Sequence, residues 1–170
     1  MSAEESEHKK VVVVDENDNV IGAEYMFDAI EKKMLRKVSR VFVFDQQGKI
    51  LVQRRSASVV RPLLLDQSVG GHVDEGETYY EAAERELMEE LGLKVKSIKY
   101  IGSAPNTYVF SEFSVFTLDM AFIVIPESIK GLKPMDDILD YKFYSERELN
   151  YEDIPAPSIK KFVKDYFRNE

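Results

Sequence analysis

Runs of apolar and polar positions divide this chain into strands and helices before any chemistry is considered. Val11 to Val14 is a solid apolar run. Val20 to Ala23 follows it across the polar stretch Asp15-Glu16-Asn17-Asp18-Asn19, so the two predict a β-hairpin. Tyr25 to Lys37 is helix-compatible. Val38 to Asp45 and Lys49 to Arg54 are rich in apolar and β-branched residues, and Gln46-Gln47-Gly48 between them predicts a second hairpin. Tyr79 to Leu91 has no Gly or Pro and is rich in Ala, Leu, Met and Glu, which predicts a helix. Thr78 offers its N-cap, Glu81 completes a capping box, and Gly92 is the residue that stops it. Further strands are expected near Ser97 to Gly102, from Ser114 to Ile125 and from Asp140 to Tyr144, with a short helix over Glu146 to Asn150. Pro155 and Pro157 introduce a closing helix, Ser158 to Arg168, with Ser158 as N-cap. Strands interleaved with two substantial helices imply an α/β fold, a mixed sheet between helical layers.

The helix over Tyr79 to Leu91 carries an unusual face. At about 100° per residue, Tyr80, Ala83, Leu87 and Leu91 share an apolar stripe. Glu86 and Glu90 lie one turn apart beside it, with Glu89 on their other side, so three carboxylates share an arc of roughly 100°. Such a face is ordinarily just solvated. Here, however, Arg85 is the one cation in the helix and points about 100° away from Glu86, which leaves the like charges to repel. A hard divalent cation, Mg²⁺ or Mn²⁺, takes carboxylate oxygens and resolves that repulsion.

Composition narrows the field. The 170 residues read as one domain: a polar leader over 1–10, a hairpin and helix extension over 11–37, and a core over 38–168. A net charge of −8 argues against a nucleic-acid grip, which needs a basic face. Having no Cys excludes disulfides, thiolate metal sites and a cysteine nucleophile, and fits a reducing, cytoplasmic compartment. The start MSAEESEHKK has no apolar core and so is no signal peptide. The longest apolar stretch, Met120 to Ile125, is too short to span a membrane. Strands exposed in the N-terminal hairpin offer a surface for a homodimer.

Several side chains outside the helix have two readings. Lys32, Lys33, Arg36, Lys37 and Arg40 read first as a solvated helix face, and second as a patch that steers an anion. Arg54 and Arg55, at a strand end, suit either a phosphate fork or structural ion pairs. Tyr108, Phe110, Phe113 and Phe116 read as core, with Tyr108 the one best placed to stack on a base.

The spacing Gly71, five residues, Glu77, seven residues, then Arg85-Glu86-Leu87-x-Glu89-Glu90-x-Gly92-Leu93 resembles a complete Nudix box. The resemblance covers roughly Val38 to Phe167. It implies an α/β/α sandwich with a mixed sheet, here preceded by a β-hairpin, and metal-dependent hydrolysis of a diphosphate linkage in a small molecule. It assigns Glu86, Glu89, Glu90 and the Gly71 carbonyl to the metal, and Glu77 with Arg85 to a salt bridge orienting loop against helix. A further base lies outside the box, and Glu112, Asp119, Asp136 and Asp137 are all candidates. The stretches VVVVDENDNVIG, VFVFDQQGKILVQRRS and LLLDQSVGGHVDEGE resemble the branch related to type I isopentenyl diphosphate isomerase. That enzyme's pattern has a cysteine where Gly70 stands. Of its metal histidines only His72 matches, and none falls in Arg36 to Ser39. Of its phosphate-binding pair Arg55 is kept, with Val59 at the Lys position. The resemblance therefore implies an isomerase-like Nudix hydrolase acting on a nucleoside diphosphate derivative or a nucleotide. Isomerase-like activity and a silent binding module are the alternatives.

Overall fold

The computed structural model describes residues 10–58, 62–109, 113–134 and 138–169. Strand β1 (Lys10–Val14) pairs antiparallel with β2 (Val20–Tyr25). The Asp15 carboxylate shapes their turn by accepting the backbone N–H groups of Asn17 and Asn19, each at 2.9 Å. This hairpin is built into the main sheet. Val13 lies in register with Arg36, and the Val12 N–H donates to the Val73 carbonyl at 3.0 Å. The burial of Val11 to Val14 explains the solid apolar run.

Strand β3 (Arg36–Val43) is the centre of a six-stranded sheet that also holds β6 (Val69–His72), β7 (Lys99–Val109) and β8 (Ser114–Val124), in the order β2-β1-β3-β8-β7 with β6 also on β3. Its pairing with β8 is parallel, and those with β6 and β1 are antiparallel, so the sheet is mixed. Strand β7 runs well past the expected Gly102, because β8 pairs with it to Val109. A second sheet holds β5 (Leu65–Asp66), β4 (Ile50–Arg55) and β9 (Ile138–Tyr144) in the order β5-β4-β9.

Two expectations fail for one reason. Beyond the bridge Phe44–Ile50, β3 and β4 do not pair, although the turn at Gln46-Gln47-Gly48 does form, with Gly48 at φ 74°. Strand β3 already has β8 on one side and β1 and β6 on the other, so β4 pairs elsewhere. The expected helix from Tyr25 to Lys37 shrinks to α1 (Met26–Glu31). Lys33 turns left-handed at φ 54°, and from Arg36 the chain is strand. Helix-compatible residues are overridden by partners waiting in the sheet. The basic cluster is therefore not a helix face: Arg36, Lys37 and Arg40 lie on β3, and Arg36 is wholly buried.

Helix α2 (Tyr79–Leu91) forms as expected, with both capping-box bonds between Thr78 and Glu81 and Gly92 left-handed at φ 61°. Its buried face comprises Tyr79, Ala82, Ala83, Glu86, Leu87 and Leu91, while Tyr80 leans out and meets Phe122 edge-on. The expected stripe is thus displaced by about one residue at its N-terminal end. Near the end of the chain, residues 157 and 158 are already helical, followed by a π-helical stretch (Ile159–Val163) and α3 (Lys164–Asn169). Ser158 is therefore no N-cap; its hydroxyl donates to the Gln67 amide oxygen. Glu146 to Glu148 form a single 3₁₀ turn.

Alternation along β3 separates two cores. Val41 and Val43 pack with Leu87, Leu91 and Phe122 under α2. Phe42 and Phe44 pack with Ile159, Phe162 and Val163 under the closing helix. Helices thus cover both faces of the strands, the arrangement of an α/β/α sandwich. No helix among the described residues is long and apolar enough to cross a membrane.

Candidate active site

The acidic side chains of α2 meet the glycines of β6. A Cβ added to Gly71 would collide with the Glu86 carboxylate, so only glycine lets Glu86 lie against the strand. Glu86 is 8% exposed. Next to it, the Glu90 carboxylate accepts the Gly70 N–H at 3.1 Å and the Gln53 Nε2 at 3.0 Å. The Glu90 carboxyl is pushed up to about 8, by burial first and then by the Glu86 charge, against the pull of the two hydrogen bonds. Gln53, on β4, is a contact that sequence reading missed. It sits one residue before Arg54 in a strand whose sheet assignment was wrong, so its direction toward Glu90 had no local signal.

Arg85 organises the remainder. Its Nε donates to Glu77 Oε1 at 2.7 Å, and its Nη2 donates to Glu77 Oε2 and the His72 carbonyl, both at 2.9 Å. The expected Glu77–Arg85 ion pair is present and ties the loop to the helix. Arg85 does not, however, point away from its acidic neighbours. Its Nη1 reaches Glu86 Oε1 at 2.6 Å and Glu89 Oε2 at 3.2 Å. Its long side chain, drawn over by Glu77, makes up for the helical angle. The bonds to Glu77 raise its pKa first; burial opposes them, and Glu86 and Asp74 add to the rise.

A divalent cation can be tested against this donor set. Glu86 and Glu90 offer hard oxygens on either side of Gly70-Gly71, and their mutual repulsion is the kind a cation relieves. Glu89 is half-exposed and turned to Arg85, and among the described residues no three acidic or histidine groups converge as a cluster. The residues fit in kind, and a cation would replace Arg85 as the partner of Glu86 and Glu89.

The other candidates fall on two sides. Arg54 lies 3.7 Å from Asp140 and donates to the Leu63 carbonyl, and Arg55 donates to Asp66 at 2.8 Å. Both are thus in structural pairs. Tyr108 is half-buried, and its hydroxyl accepts from Arg40 Nη2 at 2.9 Å while the guanidinium lies 5.4 Å from its ring centre. Asp119 is buried and accepts from Arg40 Nε at 3.0 Å and Asn106 Nδ2 at 2.7 Å. Phe113 is exposed and Phe116 half-buried, so neither is core. Glu112, Asp136, Asp137, Val59 and Phe110 lie outside the described residues.

With this geometry in place, known proteins can be compared. The family model for the NUDIX domain matches residues 34–166. An isopentenyl-diphosphate Delta-isomerase 2 from Photorhabdus laumondii is 32% identical over 164 residues, covering 90% of this chain and 89% of that protein. An uncharacterised Nudix hydrolase from Nostoc is 42% identical over 88 residues, 51% of this chain and 52% of that relative, so this match spans about half its length. A crystal structure from Deinococcus radiodurans superposes with a TM-score of 0.62 at 28% identity, covering 82% of this chain and 85% of the other.

Proposed function

The chain belongs to the Nudix domain family as a Nudix hydrolase, and from that premise we propose that it cleaves the diphosphate linkage of a nucleoside diphosphate derivative or a nucleotide. The observation that carries this reading is the acidic face of α2 set against side-chain-free Gly70-Gly71 and braced by Arg85. Glu86, Glu89, Glu90 and the Gly71 carbonyl are assigned to Mg²⁺ or Mn²⁺. When bound, the cation supplies charge neutralisation at the bridging phosphate oxygens and a lowered pKa for an attacking water. The chain's own residues do the rest. Glu77 and Arg85 hold loop and helix in register, while Gly70 and Gln53 aim the Glu90 carboxylate by hydrogen bonding. Of the four candidate bases, Asp119 is the one among the described residues, and its bonds to Arg40 and Asn106 favour a supporting role.

The match to the Photorhabdus isomerase along 90% of this chain favours a second reading, double-bond isomerisation. Against it stand the absence of cysteine and the packing at Gly70. A Cβ there would lie 2.5 Å from Gln67 Nε2 and 2.8 Å from Arg40 Nη1, so a thiol would require both side-chain ends to move. A cytoplasmic enzyme without nucleic-acid or membrane partners fits the composition, and the exposed Val20 and Ile21 on edge strand β2 give a homodimer an edge to pair on. The test is initial rates on a panel of nucleoside diphosphate compounds with Mg²⁺, reading released phosphate or nucleoside monophosphate. Turnover that chelator abolishes is expected. Inertness on the whole panel, combined with interconversion of isopentenyl and dimethylallyl diphosphate, would replace the first reading with the second.

A further inference from the structure

Arg36 and Arg40 lie four residues apart on β3 and so face the same way, with Thr117 of β8 in register with Arg36 and Asp119 in register with Val38 between them. Two guanidinium groups share this buried face with one carboxylate. Asp119 is taken by Arg40. Arg36 has no solvent exposure and donates only to Met26 Sδ at 3.4 Å; its Nε and Nη2 have no hydrogen-bond partner among the described residues, and neither has Thr117 Oγ1. Burial, then Arg40, depress its pKa to about 10, still well above neutrality. The face therefore carries a surplus positive charge at neutral pH, a standing attraction for an anion.

Arg40 is the member that reaches the site. Its Nε is held by Asp119 and its Nη2 by the Tyr108 hydroxyl, while its Nη1 makes no hydrogen bond among the described residues. That Nη1 lies 2.8 Å from where a Gly70 Cβ would sit, and the Gly70 N–H is on the Glu90 carboxylate. One glycine thus separates an open guanidinium donor from the acidic helix face. Arg54 and Arg55, the sequence's first candidates for this task, are occupied by Asp140 and Asp66.

We propose that Arg40 is an anion-binding residue of this site, whose Nη1 edge grips the substrate phosphate that the acidic face and its cation do not hold. The inference rests on the diphosphate reading above. Asp119 and Tyr108 are positioning residues, fixing the guanidinium so that one edge stays open. Arg36 adds positive potential behind it. A guanidinium pinned at two nitrogens needs no further ordering to meet a phosphate oxygen.

The experiment is calorimetric binding of methylenediphosphonate, a diphosphate that cannot be hydrolysed, with Mg²⁺ present, alongside turnover on the nucleotide panel. The variants are Arg40→Lys and the double change Arg40→Met with Asp119→Asn. The double change avoids a buried unpaired carboxylate. Removing the Asp119 charge by itself favours an anion, so weaker binding there traces to the lost guanidinium. Each variant that keeps the native circular-dichroism spectrum is expected to bind at least tenfold more weakly, with KM raised more than kcat is lowered. Native affinity in either folded variant would overturn the proposal. The charge-retaining Arg40→Lys protein is the arm expected to fold if the double variant does not. A protein that hydrolyses no diphosphate yet binds methylenediphosphonate through Arg40 would remove the hydrolase reading and keep this one. A hydrolase indifferent to Arg40 would do the reverse.

Discussion

Glu90 is pulled two ways: Gly70 and Gln53 hold it as a carboxylate, while burial and Glu86 favour its neutral acid. In the folded chain it keeps its proton to about pH 8, whereas unfolded it releases the proton near its ordinary value of 4.5. Folded protein therefore binds more protons between those values. Its contribution to stability is complete below the lower value and is lost as pH rises through the upper one. The metal-free thermal midpoint is expected to fall from about pH 5 to about pH 8, and Glu90→Gln should flatten that slope. With saturating Mg²⁺ the same change should lower turnover by about a thousandfold, or roughly 4 kcal/mol. Near-native turnover in a folded Glu90→Gln protein would make this face structural. Arg85→Ala tests the bracing. Its bonds to Glu77, Glu86, Glu89 and the His72 carbonyl position ligands and fill no core, so turnover should drop more, in kcal/mol, than folding stability does. Kinetics paired with urea unfolding give both numbers, and equal losses would refute the positioning role.

At the scale of elements, what could be read in advance was whatever depends on near neighbours. Helix α2 announced itself through Thr78, Glu81, the unbroken run to Leu91 and Gly92, all within one local stretch. Its cap should be measurable: Thr78→Ala removes the bonds shared with Glu81, costing about 1 kcal/mol in denaturant unfolding, and leaves turnover within a few-fold. A loss of turnover exceeding the loss of stability would mean the cap also positions Glu77. Strand β3 was the opposite case. From Val38 it reads as strand, but nothing local sets Arg36 and Lys37 apart from the helix-compatible run before them, and that choice was made by β8, far away in sequence. The same gap hid Gln53, which finds Glu90 only once β4 has left β3 for β9. It also hid the Arg40–Asp119–Tyr108 group, whose members come from three strands.

For the molecule as a whole, the two-sided sheet assigns different tasks to its faces. One face packs α2 and brings Glu86 against Gly71. The other gathers Arg36, Arg40 and Asp119 above the closing core. The family was legible because the box is contiguous in sequence, while the second face was not, being assembled across the sheet. Filling the space beside Gly70 with Arg40 has a consequence for reaction type. The purified protein should not interconvert isopentenyl and dimethylallyl diphosphate, as followed by NMR of the two isomers. Metal-dependent interconversion above background would show that a thiol is not needed there.

Arg85 also gives the acidic helix face a counter-ion that cannot diffuse away. A divalent ion arriving at Glu86 and Glu89 would therefore not enter a vacant charge; it would exchange with a tethered one. The tether holds that competitor at a fixed local concentration that dilution does not change. Loading would then be a threshold set by the chain itself: weakly coordinating monovalent ions would lose the exchange, and only a cation that gains more from the carboxylates than the guanidinium does would take its place.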